Sequence, residues 1–130
     1  STRTNKEGAE FLASHVNKDG YDVEFIEVPN STLHLTTICS SPREGTIIAA
    51  EGHLKESQIS KFAEEIIWIP NNESYASNTI GYSNDRLIVA AGFPKTKNIL
   101  QNEGFRLMSV DMAPIMQADG SLTCLSVYTS

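Results

Sequence analysis

The sequence predicts an α/β fold assembled from repeated ββαβ units, on three observations. Short apolar strand-like runs alternate with amphipathic helical segments, turn signals separate them, and the order strand, strand, helix, strand occurs twice in succession. Units of that kind bury their faces against neighbours around an axis, so the arrangement reads as a propeller-like array. Both ends are partial units, as if the chain were cut from a longer array. Residues 1–130 are expected to form a single domain of about two and a half such units.

The elements follow in order. Thr4 and Glu7 have capping-box spacing, and Ala9, Leu12, Ala13 and Val16 recur on one apolar face, so a helix begins after Thr4 and stops at Asp19-Gly20. Residues 21–28 alternate like a strand and end at Pro29-Asn30. The first full unit comprises a strand over 33–40, a turn at 42–45, a strand over 46–50, a helix around 56–66 and a short strand over 67–69. Ile59, Phe62, Ala63 and Ile66 share the face of that helix, and Pro70 ends the unit.

The second unit repeats the order. Residues 78–82 read as a strand, Asn84-Asp85 as a hairpin turn and 87–91 as the return strand. Pro94 suits the first turn of a helix that runs to Glu103, with Gly104 as its stop. A strand over 105–110, a short helical turn or loop over 111–117 and a closing strand over 122–128 complete the chain.

Composition excludes several function classes. With 40% hydrophobic and 20% charged residues the chain reads as an ordinary globular protein. A net charge of −6 without a Lys/Arg cluster argues against nucleic acid or an anionic membrane surface as partner. No apolar run approaches the roughly 20 residues of a membrane-spanning helix. No secretory leader is visible, and two cysteines make no disulfide framework. A reducing, cytoplasmic setting with both thiols free is expected.

His34, Thr79 and Cys124 are evenly spaced, and each falls on the predicted first strand of its unit. Equivalent positions in such an array point to one place, so His34 and Cys124 become candidate partners. A thiolate is a strong nucleophile, and an imidazole titrating near neutrality moves protons for it. Acyl transfer would need an oxyanion site. Attack on a guanidinium carbon would need carboxylates to hold the cation. The same two residues also read as a buried thiol and a structural histidine.

The runs Leu33-His34-Leu35, Asp119-Gly120-Ser121-Leu122-Thr123-Cys124-Leu125-Ser126-Val127 and Ser1-Thr2-Arg3-Thr4-Asn5 together resemble dimethylarginine dimethylaminohydrolases. These are members of the guanidino-modifying (pentein, amidinotransferase-like) superfamily. The resemblance covers the whole chain but only the second half of such an enzyme. It implies a partial α/β-propeller in which Cys124 attacks the guanidinium carbon of a methylated arginine through a covalent thiouronium. His34 would carry protons, Arg3 would hold the substrate α-carboxylate, and the Ala118 backbone carbonyl would meet the α-amine. It implies a small-molecule guanidino substrate; no His/Cys/Asp spacing in the sequence suits zinc, so no metal and no cofactor are expected.

The acidic residues that grip the guanidinium belong to the family's other half, and neither Asp111 nor Asp119 matches them. Arginine or agmatine deiminases of the same fold are the alternative enzymes. The other class is a non-catalytic half-domain that pairs with itself or with the missing N-terminal half through open strand edges. His15 and His53 read as surface histidines, Cys39 as a buried thiol, Trp68 and Phe62 as core, Glu64-Glu65 as a solvated helical face, and Thr79 as a cavity lining without chemistry.

Overall fold

Helix α1 (Lys6–Val16) starts where Asn5, in an extended conformation, turns its side chain back to accept the Gly8 N–H at 2.8 Å. The cap therefore falls one residue later than the Thr4–Glu7 spacing predicts, on a residue type that caps at least as well as threonine. Ala13 is the buried residue of the predicted apolar face, whereas Leu12 is exposed. A 3-10 turn over Asn17–Asp19 ends at Gly20, whose positive φ of 85° stops the helix as expected.

This computed structural model describes residues 3–127, so Ser1 and Thr2 of the opening run and Tyr128 of the predicted closing strand lie outside the described residues. The chain divides into two compact units, residues 1–35 and 36–130. Beyond α1, residues 21–28 form no strand. Alternation supplies two faces, but a strand exists only when its N–H and C=O groups pair with a neighbour. No described strand pairs with this stretch.

Residues 36–130 contain the two predicted ββαβ units. In the first, β1 (Cys39–Arg43) pairs antiparallel with β2 (Thr46–Ala50), and β2 pairs parallel with β3 (Glu65–Ile69). The crossover is a short helix α2 (Glu56–Ile59) extended by a 3-10 turn over Ser60–Phe62. In the second, β4 (Ile80–Gly81) pairs antiparallel with β5 (Arg86–Ala90), and β5 pairs parallel with β6 (Arg106–Val110) across helix α3 (Pro94–Asn102). A parallel return requires such a crossover, whereas the hairpins need only a tight turn. Asn84 and Asp85 supply it with positive φ values of 62° and 54°.

Each unit makes its own open three-stranded sheet, and the two share one core. Ile48, Ala50, Ile67 and Ile69 of the first sheet pack in one cluster with Leu87 and Val89 of the second, together with Leu100 and Phe105. Burial on both faces explains why β2 reads as a continuous apolar run and not as an alternation. Helix α4 (Ala113–Gln117) follows β6, and its Ile115 packs against a smaller cluster of Ile80, Ala90, Met112 and Leu122.

Several boundaries differ from the sequence expectation, each for a local reason. The helix predicted over 56–66 ends early because the Gly45 carbonyl takes the N–H groups of Glu64 and Glu65 at 2.8 and 3.0 Å, which draws the chain into β3. Phe62 is 43% exposed and does not fill core, and Glu65 lies on the strand and not on a helical face. The predicted strand over 33–40 is a 3-10 turn over Leu35–Thr37 followed by β1, because side chains take the Thr36 and Thr37 carbonyls. The closing strand over 122–128 is a 3-10 turn over Thr123–Leu125 in its described part.

The strands β1, β2 and β3 recur as β4, β5 and β6 after 41, 40 and 41 residues. The longer, even spacing of His34, Thr79 and Cys124 is therefore not the period of the strands, and none of the three lies on a strand. No helix among the described residues is long and apolar enough to cross a membrane.

Candidate active site

The segment that carries Cys124 is set by backbone geometry before any chemistry. After α4, Ala118 donates its N–H to the Ile115 carbonyl at 3.0 Å, and Gly120 donates to the same carbonyl at 2.9 Å. Between them Asp119 adopts a left-handed φ of 57°, the tight turn that its Asp-Gly dipeptide predicts. The Tyr75 hydroxyl then donates to the Gly120 carbonyl at 2.8 Å, and the Leu122 side chain is buried. Anchored at both points, the chain makes one 3-10 turn, in which Cys124 donates its N–H to the Ser121 carbonyl at 3.1 Å.

Cys124 is an exposed, free thiol. Its Sγ lies 3.3 Å from the Ser121 Oγ. That side-chain contact, then the turn backbone, holds the thiol below its ordinary pKa against a smaller opposing effect of burial. Hydrogen bonding to the thiolate favours the ionised form, which is the nucleophilic one. The other thiol behaves oppositely: Cys39 starts β1, half-buried, and desolvation pushes it up to about 11. Tyr75 is raised by burial first and by the Cys124 charge second.

Sequence reasoning missed the residue that holds this turn from behind. Asn78 is 2% exposed, between the 3-10 segment Asn71–Ser77 and β4. Its Oδ1 accepts the Thr123 N–H at 3.0 Å, and its Nδ2 donates to the Thr123 Oγ1 at 2.9 Å and to the Thr36 carbonyl at 2.6 Å. A polar layer surrounds it: Ser77 Oγ donates to the Thr37 carbonyl at 3.2 Å, and Ser40 and Thr79 hydroxyls meet at 2.7 Å. Thr79, buried, is engaged in this layer. The available signal was Ser77-Asn78-Thr79, three polar residues running into an apolar strand.

The other expected site residues fall as follows. Ala118 is exposed at the C-terminal end of α4, six residues before Cys124 on the same loop. His34, exposed just ahead of the Leu35–Thr37 turn, and Arg3, exposed ahead of α1, belong to the first compact unit. Asp111 accepts the Ala113 N–H at 3.0 Å at the start of α4, and Asp119 serves the turn. His15 and His53 are exposed or partly so and bond to the Phe11 carbonyl at 2.9 Å and the Asn71 side chain at 3.1 Å. A cavity of about 430 Å³ is lined by Tyr75, Phe93, Asp111, Met112 and Met116 among others, and Cys124, His34, Arg3 and Ala118 are not part of that lining.

No protein-family model matches the chain. It is similar to N(G),N(G)-dimethylarginine dimethylaminohydrolase of Pseudomonas aeruginosa, with 32% identity over 127 residues that make up 98% of this chain and 48% of that protein. A solved structure of the Pseudomonas aeruginosa protein, a cysteine-to-serine mutant complexed with citrulline, matches with a TM-score of 0.81 at 30% identity, over 93% of this chain and 46% of that one. An amidinotransferase from Microseira wollei in the saxitoxin biosynthetic pathway also matches with a TM-score of 0.81, over 93% of this chain and 40% of that one. At 22% identity it shows the fold alone. The chain spans about half the length of the curated relatives it matches. It is therefore similar, nearly end to end, to half of a dimethylarginine dimethylaminohydrolase, and its α/β fold is the one those enzymes share with amidinotransferases.

Proposed function

We propose that this chain supplies the nucleophile of an enzyme that hydrolyses methylated arginine to citrulline and an amine. One observation carries the reading: in a chain with this similarity, Cys124 is an exposed thiol held below its ordinary pKa by Ser121 at 3.3 Å. The Cys124 thiolate attacks the guanidinium carbon, and the C–N bond to the dimethylamino group breaks as that nitrogen takes a proton. Dimethylamine leaves, and the substrate carbon stays bound to sulfur as a thiouronium. Water then adds to that carbon, the C–S bond breaks, and citrulline and the free thiol are released.

His34 delivers the proton to the leaving amine and takes one from the water, the general acid and base role that an imidazole can fill. Arg3 holds the substrate α-carboxylate, which a guanidinium can grip through two parallel hydrogen bonds. Ala118 offers its backbone carbonyl to the α-amine, so its side chain is immaterial to that task. The carboxylates that hold the guanidinium come from outside the matched half. The two open sheets are blades of an α/β-propeller, and residues 1–130 make up a single domain of it. Their open edges pair with the remainder of that propeller or with a second copy. Two free thiols fit a reducing, cytoplasmic setting.

The test is a substrate panel on the complete protein. Dimethylarginine should yield citrulline in preference to free arginine and agmatine, and Cys124→Ser should yield none. Preference for an unmethylated guanidine would make the protein a deiminase; normal turnover by Cys124→Ser would remove the nucleophile.

A further inference from the structure

The Cys124 turn has no cap of its own. A helical turn begins with N–H groups that no intra-turn carbonyl can satisfy, and a side-chain oxygen just before the turn usually takes one. Here the residue in that place is Leu122, which offers no such oxygen. The Thr123 N–H is instead accepted by Asn78 Oδ1, a residue 45 positions earlier in the chain, at 3.0 Å. The same amide returns a hydrogen bond from Nδ2 to the Thr123 hydroxyl at 2.9 Å. Thr123 is thus clamped through both backbone and side chain, and the next residue is Cys124.

We propose that Asn78 is the positioning residue of the nucleophile, the side chain that fixes the Thr123–Leu125 turn so that Cys124 stays against Ser121. The inference rests on the reading of Cys124 as the nucleophile and deepens it. The clamp requires an amide, because it uses one acceptor and two donor interactions at once. A carboxylate would lose both donors and set a charge against the Thr36 carbonyl, and an alkyl side chain would leave the Thr123 N–H unpaired. The third contact, to the Thr36 carbonyl at 2.6 Å, ties the clamp to the segment that leads into β1. The orientation of the amide is fixed by its partners, since Nδ2 faces a carbonyl while Oδ1 faces an N–H.

The amide itself is held on a rigid base. At 2% exposure Asn78 lies where an unmade hydrogen bond is costly. Its chain neighbours are fixed on either side: Ser77 Oγ donates to the Ser74 carbonyl at 2.8 Å, and Thr79 meets Ser40 at 2.7 Å. Releasing the clamp frees the turn and not this base. The Ser121–Cys124 contact then averages over several geometries, and the thiolate loses its hydrogen-bond support.

The experiment is the pH dependence of iodoacetamide alkylation at Cys124 in the complete protein, followed peptide by peptide so that Cys39 is scored separately. Kinetics with dimethylarginine accompany it. Asn78→Ala should move the alkylation midpoint to higher pH and slow the reaction at neutral pH by about tenfold. It should lower kcat while changing KM little. Thr123→Val removes only the hydroxyl partner and should shift the midpoint less, in the same direction. That variant decides the matter if Asn78→Ala does not fold. Glu73→Gln, which loosens the start of α3 and leaves the clamp intact, should not move the midpoint.

An unchanged midpoint in both clamp variants, or an equal shift in Glu73→Gln, overturns the inference. Those outcomes leave the nucleophile standing as long as unsubstituted Cys124 titrates below an ordinary thiol. A parent thiol with an ordinary midpoint, together with turnover by Cys124→Ser, overturns both readings.

Discussion

Arg43 and Asp85 join the two ββαβ units: the guanidinium Nη1 donates to the Asp85 Oδ1 at 2.9 Å, from the end of β1 to the hairpin turn before β5. The same guanidinium reaches Glu65 at 3.0 Å and Thr46 at 3.1 Å, and stands 4.6 Å from the centre of the Phe105 ring. The hydrogen bonds to Asp85, then to Glu65, hold it still more firmly protonated. One side chain thus ties strand β1, strand β3, the hairpin and the core edge together.

Because the Arg43 side chain is 35% exposed, its ion pairs are screened by water and salt. Arg43→Ala should cost about 1–2 kcal/mol in urea unfolding, the sum of weak ion pairs and one cation–π contact. Arg43→Lys should recover only part of it, since a lysine cannot span three partners in one plane. The difference from the parent should shrink in high salt. A cost that ignores salt would assign the effect to packing on Phe105 alone.

Gly81 in β4 lies against the Pro42 backbone of β1, and a Cβ there would run into the Pro42 carbonyl. Backbone yields less readily than a side-chain tip. Gly81→Ala should therefore destabilise by about 1–3 kcal/mol, the range of overpacked sites, although its φ needs no glycine. A thermal melt of the variant within experimental error of the parent would show that the two strands can part freely.

Glu73 caps helix α3 from a distance. Its two carboxylate oxygens accept the Lys95 N–H at 3.3 Å and the Thr96 N–H at 2.7 Å. Burial opposes ionisation, but the N–H groups of Thr96 and Lys95 outweigh it and hold the carboxyl below its ordinary value. A depressed native pKa gives stability that is present above the ordinary carboxylate pKa and is lost as pH falls through the lower native value. Melting temperatures from neutral to acid pH should fall less steeply in Glu73→Gln than in the parent. At neutral pH the variant should be about 1 kcal/mol less stable. Parallel acid profiles would place this carboxylate outside the acid transition.

The two thiols should separate chemically. With Cys39 pushed up to about 11 by burial and Cys124 exposed and lowered, alkylation of the native protein at neutral pH should mark Cys124 first. A preference of at least about tenfold is expected from thiolate fraction and access together. Labelling of both at one rate would place them in one environment.

What was legible in the sequence depended on whether the signal was local. Asn84-Asp85, Pro94 and Gly104 mark their turns and helix ends because each residue type answers a backbone requirement on the spot. Both ββαβ units could be read because β2, β3, β5 and their crossover helix carry continuous or periodic apolar character. Residues 21–28 and 33–37 failed for the opposite reason. Their strand-like pattern says which faces exist and not whether a partner strand is present, and the Thr36 and Thr37 carbonyls are taken by Asn78 and Ser77 from some 40 residues away.

Of the proposed nucleophile and its proposed clamp, the flanking run singles out Cys124 in the sequence and nothing comparable singles out Asn78. A cysteine after Asp-Gly-Ser-Leu-Thr advertises itself, whereas a buried asparagine that caps another turn does so only in three dimensions. The even spacing of His34, Thr79 and Cys124 was a poor guide to register, because His34 lies five residues ahead of β1 whereas Thr79 lies one residue ahead of β4.

The covalent role of Cys124 is the centre of the account, and acid-quenched mass spectrometry of the complete protein during turnover of dimethylarginine tests it most directly. A transient adduct equal to substrate less dimethylamine should appear on the peptide that contains Cys124, and Cys124→Ser should show neither adduct nor citrulline. Citrulline formed at an undiminished rate by Cys124→Ser, with no adduct on the parent, would contradict it.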